Sequence, residues 1–149
     1  MISLFKTILP GQTIGVIGGG QLGQMMTLAA KSMGFRVIVL DPTPNSPCGQ
    51  VADEQIVAAY NDLAAVKILA EKSDVITYEF ENIDANALSW LTKHAYVPQG
   101  TEILRVTQNR IYEKATIQKA GVPVVPYEVI LNQTELEHGL ENLGYPAVL

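Results

Sequence analysis

Short apolar runs recur along the first hundred residues, each separated from the next by a stretch with helical spacing. Ile14–Ile17, Arg36–Leu40, Gln55–Ala58 and Asp74–Tyr78 have the length and content of strands. Between the first two, Leu22, Met26, Ala29, Ala30 and Met33 recur at three- and four-residue intervals, which predicts a helix with those residues turned to the core. Gly34 is placed to end that helix in a left-handed conformation. A second helix is expected over Asp62–Glu71, opened by Asn61 or Asp62. Asp84 should cap a third that runs to about Lys93 with Trp90 and Leu91 inward, and a brief strand is expected at Tyr96–Pro98. Alternation of this kind predicts an α/β fold, a doubly wound parallel sheet of the Rossmann-like type, with ligands at the C-terminal ends of its strands.

From Gly100 the rhythm changes. A helix is expected from Thr107 to Ala120, stopped by Gly121 and Pro123, then a strand over Val124–Leu131. The pattern Thr134-x-x-Glu137 reads as a capping box for a further helix closed by Gly144. Tyr145–Leu149 reads as the opening of another apolar strand, so the chain is expected to be a piece of a longer protein. The change of character suggests a first domain over residues 1–104 and the beginning of a second over 105–149.

The strongest chemical signal lies where the first strand meets the first helix. Gly18-x-Gly20-x-x-Gly23 lets the chain turn tightly and present backbone N–H groups at a helix N-terminus, which is an anion cradle suited to phosphate. Asp41 ends the next strand at the distance where a ribose-binding acid of a dinucleotide fold is expected, and equally where it would cap its own loop. The prolines at 42, 44 and 47 exclude helix from that loop.

A net charge of −5 argues against nucleic acid or an anionic membrane as partner, so local geometry must hold any phosphate. The lone Cys48 excludes an internal disulfide and fits a reducing compartment. No apolar run approaches a membrane span and no signal-peptide pattern is present, which predicts a soluble, cytoplasmic protein. His94 and His138 lie far apart and read as surface residues, so no transition-metal site is expected.

A second signal is Thr77-Tyr-Glu-Phe-Glu-Asn82 at the end of the fourth strand. Alternation puts Glu79 and Glu81 on one side and Tyr78, Phe80 and Asn82 on the other. A carboxylate there would accept from ribose hydroxyls or a substrate amine. The plainer reading is solvent-facing acids over a covered core.

Taken together, Gly18-Gly-Gly-Gln-Leu-Gly-Gln-Met-Met26, Val39-Leu-Asp-Pro42, Asp74-Val-Ile-Thr-Tyr-Glu-Phe-Glu-Asn82, Pro98-Gln-Gly100, Asn109-Arg-Ile-Tyr-Glu-Lys114 and Leu143-Gly-Tyr-Pro146 resemble the 5-(carboxyamino)imidazole ribonucleotide synthases. These are ATP-grasp carboxylases of purine synthesis, and the resemblance runs the length of the chain. It implies a pre-ATP-grasp domain followed by the start of an ATP-grasp domain, whose phosphate-binding lysine, flap and metal-binding acids come later in the family. It further implies a homodimer, ATP and Mg2+ as cofactors, and 5-aminoimidazole ribonucleotide and bicarbonate as substrates. By motif, Gly20, Gln21 and Leu22 would hold the substrate phosphate, Glu79 its ribose or aminoimidazole end, and Arg110 would lie near ATP. Lys114 is expected to be solvated or structural, and no catalytic base or metal ligand is assigned. Two other classes compete: a formate-dependent glycinamide ribonucleotide transformylase, which has Glu where Gln21 stands, and an NAD-binding redox module.

Overall fold

The computed structural model describes residues 6–148. It divides into two compact units, one reaching Arg105 and one starting at Val106. The first unit carries β1 (Thr13–Ile17), α1 (Gln21–Ser32), β2 (Arg36–Asp41), β3 (Glu54–Val57), α2 (Leu63–Lys72), β4 (Val75–Tyr78) and α3 (Ala85–His94). Its sheet has the order β3-β2-β1-β4 with every pairing parallel. Side chains alternate across it as the pleat requires. Ile17, Ile38, Leu40 and Ile76 join Val66, Leu69, Leu88 and Leu91 of α2 and α3 in the larger core, while Val16, Val37 and Val39 pack with Cys48 and Ala30 on the opposite face. Helices on both faces make this the doubly wound parallel sheet expected from the alternation. Asp62 and Asp84 cap α2 and α3 through their carboxylates, and Gly34 sits at φ +86° just past α1.

Both units differ from the sequence reading in places. Of the stripe expected to face inward on α1, only Ala30 packs on the core: Leu22 is 61% exposed and Met33 60%, with Met25, Met26 and Ala29 exposed beside them. The helix packs instead through Gly23, Thr27 and Ala30. Close approach is the cause, since a Cβ on Gly23 would stand 2.6 Å from the Gly18 carbonyl oxygen, and only small side chains fit on that side. At Tyr96–Pro98 no strand forms. A single backbone bond runs from the Ile76 amide to the Tyr96 carbonyl, and Pro98 has no N–H to continue a ladder. The Gln99 side chain takes over there, accepting from the Tyr78 amide at 3.1 Å and from the Thr77 hydroxyl at 2.7 Å, and donating to the Tyr78 carbonyl at 3.3 Å.

A further difference is at residue 107. A short helix, α4 (Glu102–Thr107), ends where a long one was expected to begin, and α5 (Arg110–Lys119) starts afresh because Asn109 caps it. In the second unit α5 is followed by α6 (Gln133–Leu143). No strand forms over residues 124–131 or 145–148, since no described segment of this unit pairs with them, and Leu149 lies outside the described residues. The cap of α6 falls two residues earlier than Thr134: Asn132 accepts from the Glu135 amide, and Glu135 in turn accepts from the Leu131 amide at 2.7 Å. Gly144 closes the helix at φ +74°.

Candidate functional site

The C-terminal ends of β1, β2 and β4 converge on the glycine loop. Gly18 leaves β1 at φ +107°, a conformation that favours glycine, and a Cβ there would also meet Glu79 Cγ at 2.6 Å. Gly20 is the N-cap of α1 but has no side chain to satisfy the first-turn amides. Glu79, arriving from the end of β4, does so from a distance in sequence. Its Oε1 accepts from the Gly20 amide at 3.0 Å and its Oε2 from the Gly23 amide at 2.7 Å. The solvent-facing reading of Glu79 is therefore corrected: the carboxylate is half-buried and acts as the cap of α1, complementing the positive end of the helix dipole.

The other amides of the turn divide sharply. Gly18 donates to the Leu40 carbonyl and Gly19 to Asp41 Oδ2 at 2.7 Å. The amides of Gln21 and Leu22 have no partner among the described residues. The anion cradle expected from the glycine spacing thus offers a ligand two of its N–H groups. Gly20 forms part of the wall through its bond to Glu79.

Asp41 is buried, and its carboxylate is turned into the loop. Oδ2 also accepts from the Tyr60 hydroxyl at 2.7 Å, and Oδ1 accepts from the Thr43 amide at 2.8 Å. Burial pushes the carboxyl up, but the Tyr60 hydroxyl and the amides of Thr43 and Gly19 more than offset it and leave Asp41 below the usual carboxylate range. The loop-cap reading of Asp41 is the one the geometry realises. Behind the loop, Cys48 donates its amide to the Gly19 carbonyl at 2.9 Å, and its buried thiol lies 3.1 Å from the Thr27 hydroxyl. Burial raises that thiol above its ordinary range.

Sequence reasoning brought Gly20, Gln21, Leu22 and Glu79 to one place and missed Tyr60. Tyr60 follows β3 at its C-terminal end, so the rule that ligand sites gather at such ends was the available signal. Arg110 belongs to the other unit, in the first turn of α5, where its exposed guanidinium pairs with Glu113. Lys114, one turn on, lies over the Tyr127 ring at 5.1 Å. His94 and His138 are both exposed. Among the described residues no group of three or more His, Cys, Asp or Glu could hold a metal ion, and no helix is long and apolar enough to cross a membrane.

A glycine turn between a parallel strand and a helix, on a doubly wound sheet, is an arrangement that recurs in nucleotide-binding α/β folds. Residues 11–108 match the model of the ribonucleotide synthetase preATP-grasp domain, and the chain belongs to that family. It is 58% identical over 144 residues to the N5-carboxyaminoimidazole ribonucleotide synthase of Bacillus subtilis, covering 97% of this chain and 38% of that protein. Among solved structures, it is similar to N5-carboxyaminoimidazole synthetase from Staphylococcus aureus complexed with ADP, with TM-score 0.89 and 46% identity over 95% of this chain and 38% of that one. It is also similar to the Aspergillus clavatus synthase in complex with ADP and 5-aminoimidazole ribonucleotide, with TM-score 0.77 and 34% identity over 91% and 37%. The chain therefore spans little more than a third of the relatives it matches.

Proposed function

We propose that this chain is the ribonucleotide-binding part of an ATP-grasp ligase that carboxylates 5-aminoimidazole ribonucleotide to 5-(carboxyamino)imidazole ribonucleotide, using ATP and bicarbonate. The observation that carries the reading is that the two open amides of Gln21 and Leu22 lie in the turn between Gly20 and Gly23, whose amides the Glu79 carboxylate holds. An ionised carboxylate only accepts, so the ligand group it meets must be a donor, a ribose hydroxyl or the exocyclic amine. The open amides only donate, so they take an acceptor oxygen on the ribose phosphate. A ribonucleotide carries both edges. Gln21, Leu22 and Glu79 are accordingly the substrate-binding contacts, and Gly20, whose amide Glu79 already holds, lines the site without donating to the phosphate. Holding the amine still while an activated carboxyl group approaches is the contribution asked of them, since effective concentration supplies much of such a reaction's advantage.

An NAD-binding reading is disfavoured because Asp41, the residue that would meet the adenosine ribose, spends its carboxylate on Gly19, Thr43 and Tyr60. The transformylase reading is less well supported than the synthase by the 58% identity to a synthase. We further propose that a first domain over 1–104 gives way at 105 to the start of an ATP-grasp domain, with Arg110 directed to ATP after exchanging Glu113 for it. Mg2+, when bound, neutralises phosphate charge; no residue described here is assigned to it. The resemblance to the synthases is the support for a cytoplasmic homodimer.

A chimera tests the reading. Residues 1–149 of this chain replace the matching part of the Bacillus relative, and ATP hydrolysis dependent on 5-aminoimidazole ribonucleotide and bicarbonate is measured. Retained dependence is expected. A folded chimera whose ATP hydrolysis ignores the ribonucleotide would refute the assignment.

A further inference from the structure

Asp41 and Tyr60 are joined to the glycine loop through Gly19, and neither bonds the Gln21 or Leu22 amide. Asp41 binds Gly19 from the end of β2, and Tyr60 reaches Asp41 from the loop between β3 and α2. The Tyr60 ring also meets Phe80 edge-on, with centroids 5.1 Å apart. Phe80 follows Glu79, and a Cβ on Gly18 would lie 2.8 Å from the Phe80 ring. One carboxylate and one phenol thus tie together the C-terminal ends of all four strands.

We propose that Asp41 and Tyr60 are a positioning pair for the ribonucleotide site: Asp41 fixes the Gly19 amide, Tyr60 fixes Asp41, and together they hold the turn that aims Gln21 and Leu22 and seats Glu79. The inference deepens, and rests on, the ribonucleotide reading above. Both residues act through the loop. The phenol suits the role because burial, then its bond to Asp41 and the charges of Asp41 and Glu79, push its ionisation above the tyrosine range, so it remains a donor. The titratable groups around Asp41 are Tyr60, Glu79 and the Cys48 thiol, and no ion pair joins it to a lysine or arginine among the described residues. Its charge is held by N–H and O–H donors alone. Turned inward, it is also withheld from any ribose hydroxyl of a dinucleotide.

Tyr60→Phe keeps the ring contact with Phe80 and removes the hydroxyl. In the 149-residue chain it is compared with wild type by calorimetric titration of 5-aminoimidazole ribonucleotide and by following the Gly19 amide resonance against pH. Weakening of roughly tenfold is expected, the scale of one charge-assisted hydrogen bond. The acid transition of Gly19 should also move up in pH, because Asp41 has lost a donor that favours its charged form. Wild-type affinity with the Gly19 transition unmoved would overturn the pair. Asp41→Asn should abolish that transition, and its persistence would equally overturn the proposal. Should the wild-type chain itself not bind the ribonucleotide, the functional reading fails, and the pair is judged on Gly19 alone: a raised transition supports it and an unmoved one refutes it.

Discussion

Replacing Glu79 by Gln probes the cap of α1 and the ligand site at once. Glu79 supplies one oxygen to the Gly20 amide and the other to the Gly23 amide. Glutamine keeps one acceptor and turns an NH2 group on the second amide, so one bond becomes a donor facing a donor. Hydrogen bonds to a charged group contribute about 1.5–3 kcal/mol, and loss of the negative charge at the helix N-terminus adds about 0.3–1 kcal/mol. Because Glu79 is half-buried, the lower part of that range applies, about 1.5–2 kcal/mol. For a unit of this size that is a fall in Tm of roughly 6–15 °C. Thermal unfolding followed by circular dichroism reads it directly, with Glu71→Gln on the exposed surface of α2 as a control expected to move stability by less than about 0.5 kcal/mol. The same variant should weaken 5-aminoimidazole ribonucleotide by roughly one to two decades in calorimetry. A Tm within a degree of wild type would show that the two amides do not need the carboxylate, and the long-range cap would be discarded.

Gly23→Ala puts a Cβ 2.6 Å from a backbone oxygen and should cost about 1–3 kcal/mol in urea unfolding, with a neutral result contradicting the close packing of α1 on the loop. Met25→Lys, on the outward stripe, should leave stability within about 0.5 kcal/mol, whereas Leu88→Ala in the core should cost about 2–5 kcal/mol; equal losses in denaturant titrations would return that stripe to the interior. Asp41 is held below its unfolded range, so its stabilisation is present above about pH 4 and is lost as pH falls through its folded value. Asp41→Asn should therefore be less stable than wild type at pH 7, with the gap narrowing as pH falls below the ordinary carboxylate range, and a gap independent of pH would count against the charge.

Much of the first unit was legible because strands and caps are local. Arg36–Leu40 is apolar enough to be buried on both faces, and Asp62, Asp84 and Gly34 signal helix ends within a few residues. What failed was the side of α1 that packs. Periodicity reports an apolar face, but it cannot weigh that face against Gly23 and Thr27, whose value is that they let the backbone come close. The Glu79 cap joins positions 56 and 59 residues apart, and no local pattern encodes such a bond. In the second unit the apolar run Val124–Leu131 has strand content but pairs with nothing among the described residues, so content alone did not make a strand.

Gln99 has a consequence for how this chain behaves among its own copies. The outer edge of a sheet is a template on which another polypeptide can add a strand, and proteins that leave one open risk association. Here a single side-chain amide spends its donor and acceptor on the carbonyl and amide of Tyr78, closing the site-bearing end of β4 without a fifth strand. An intruding segment would have to displace Gln99 first. Gln99 thus occupies the free edge of β4 at Tyr78, the residue before the glutamate of the proposed ligand site.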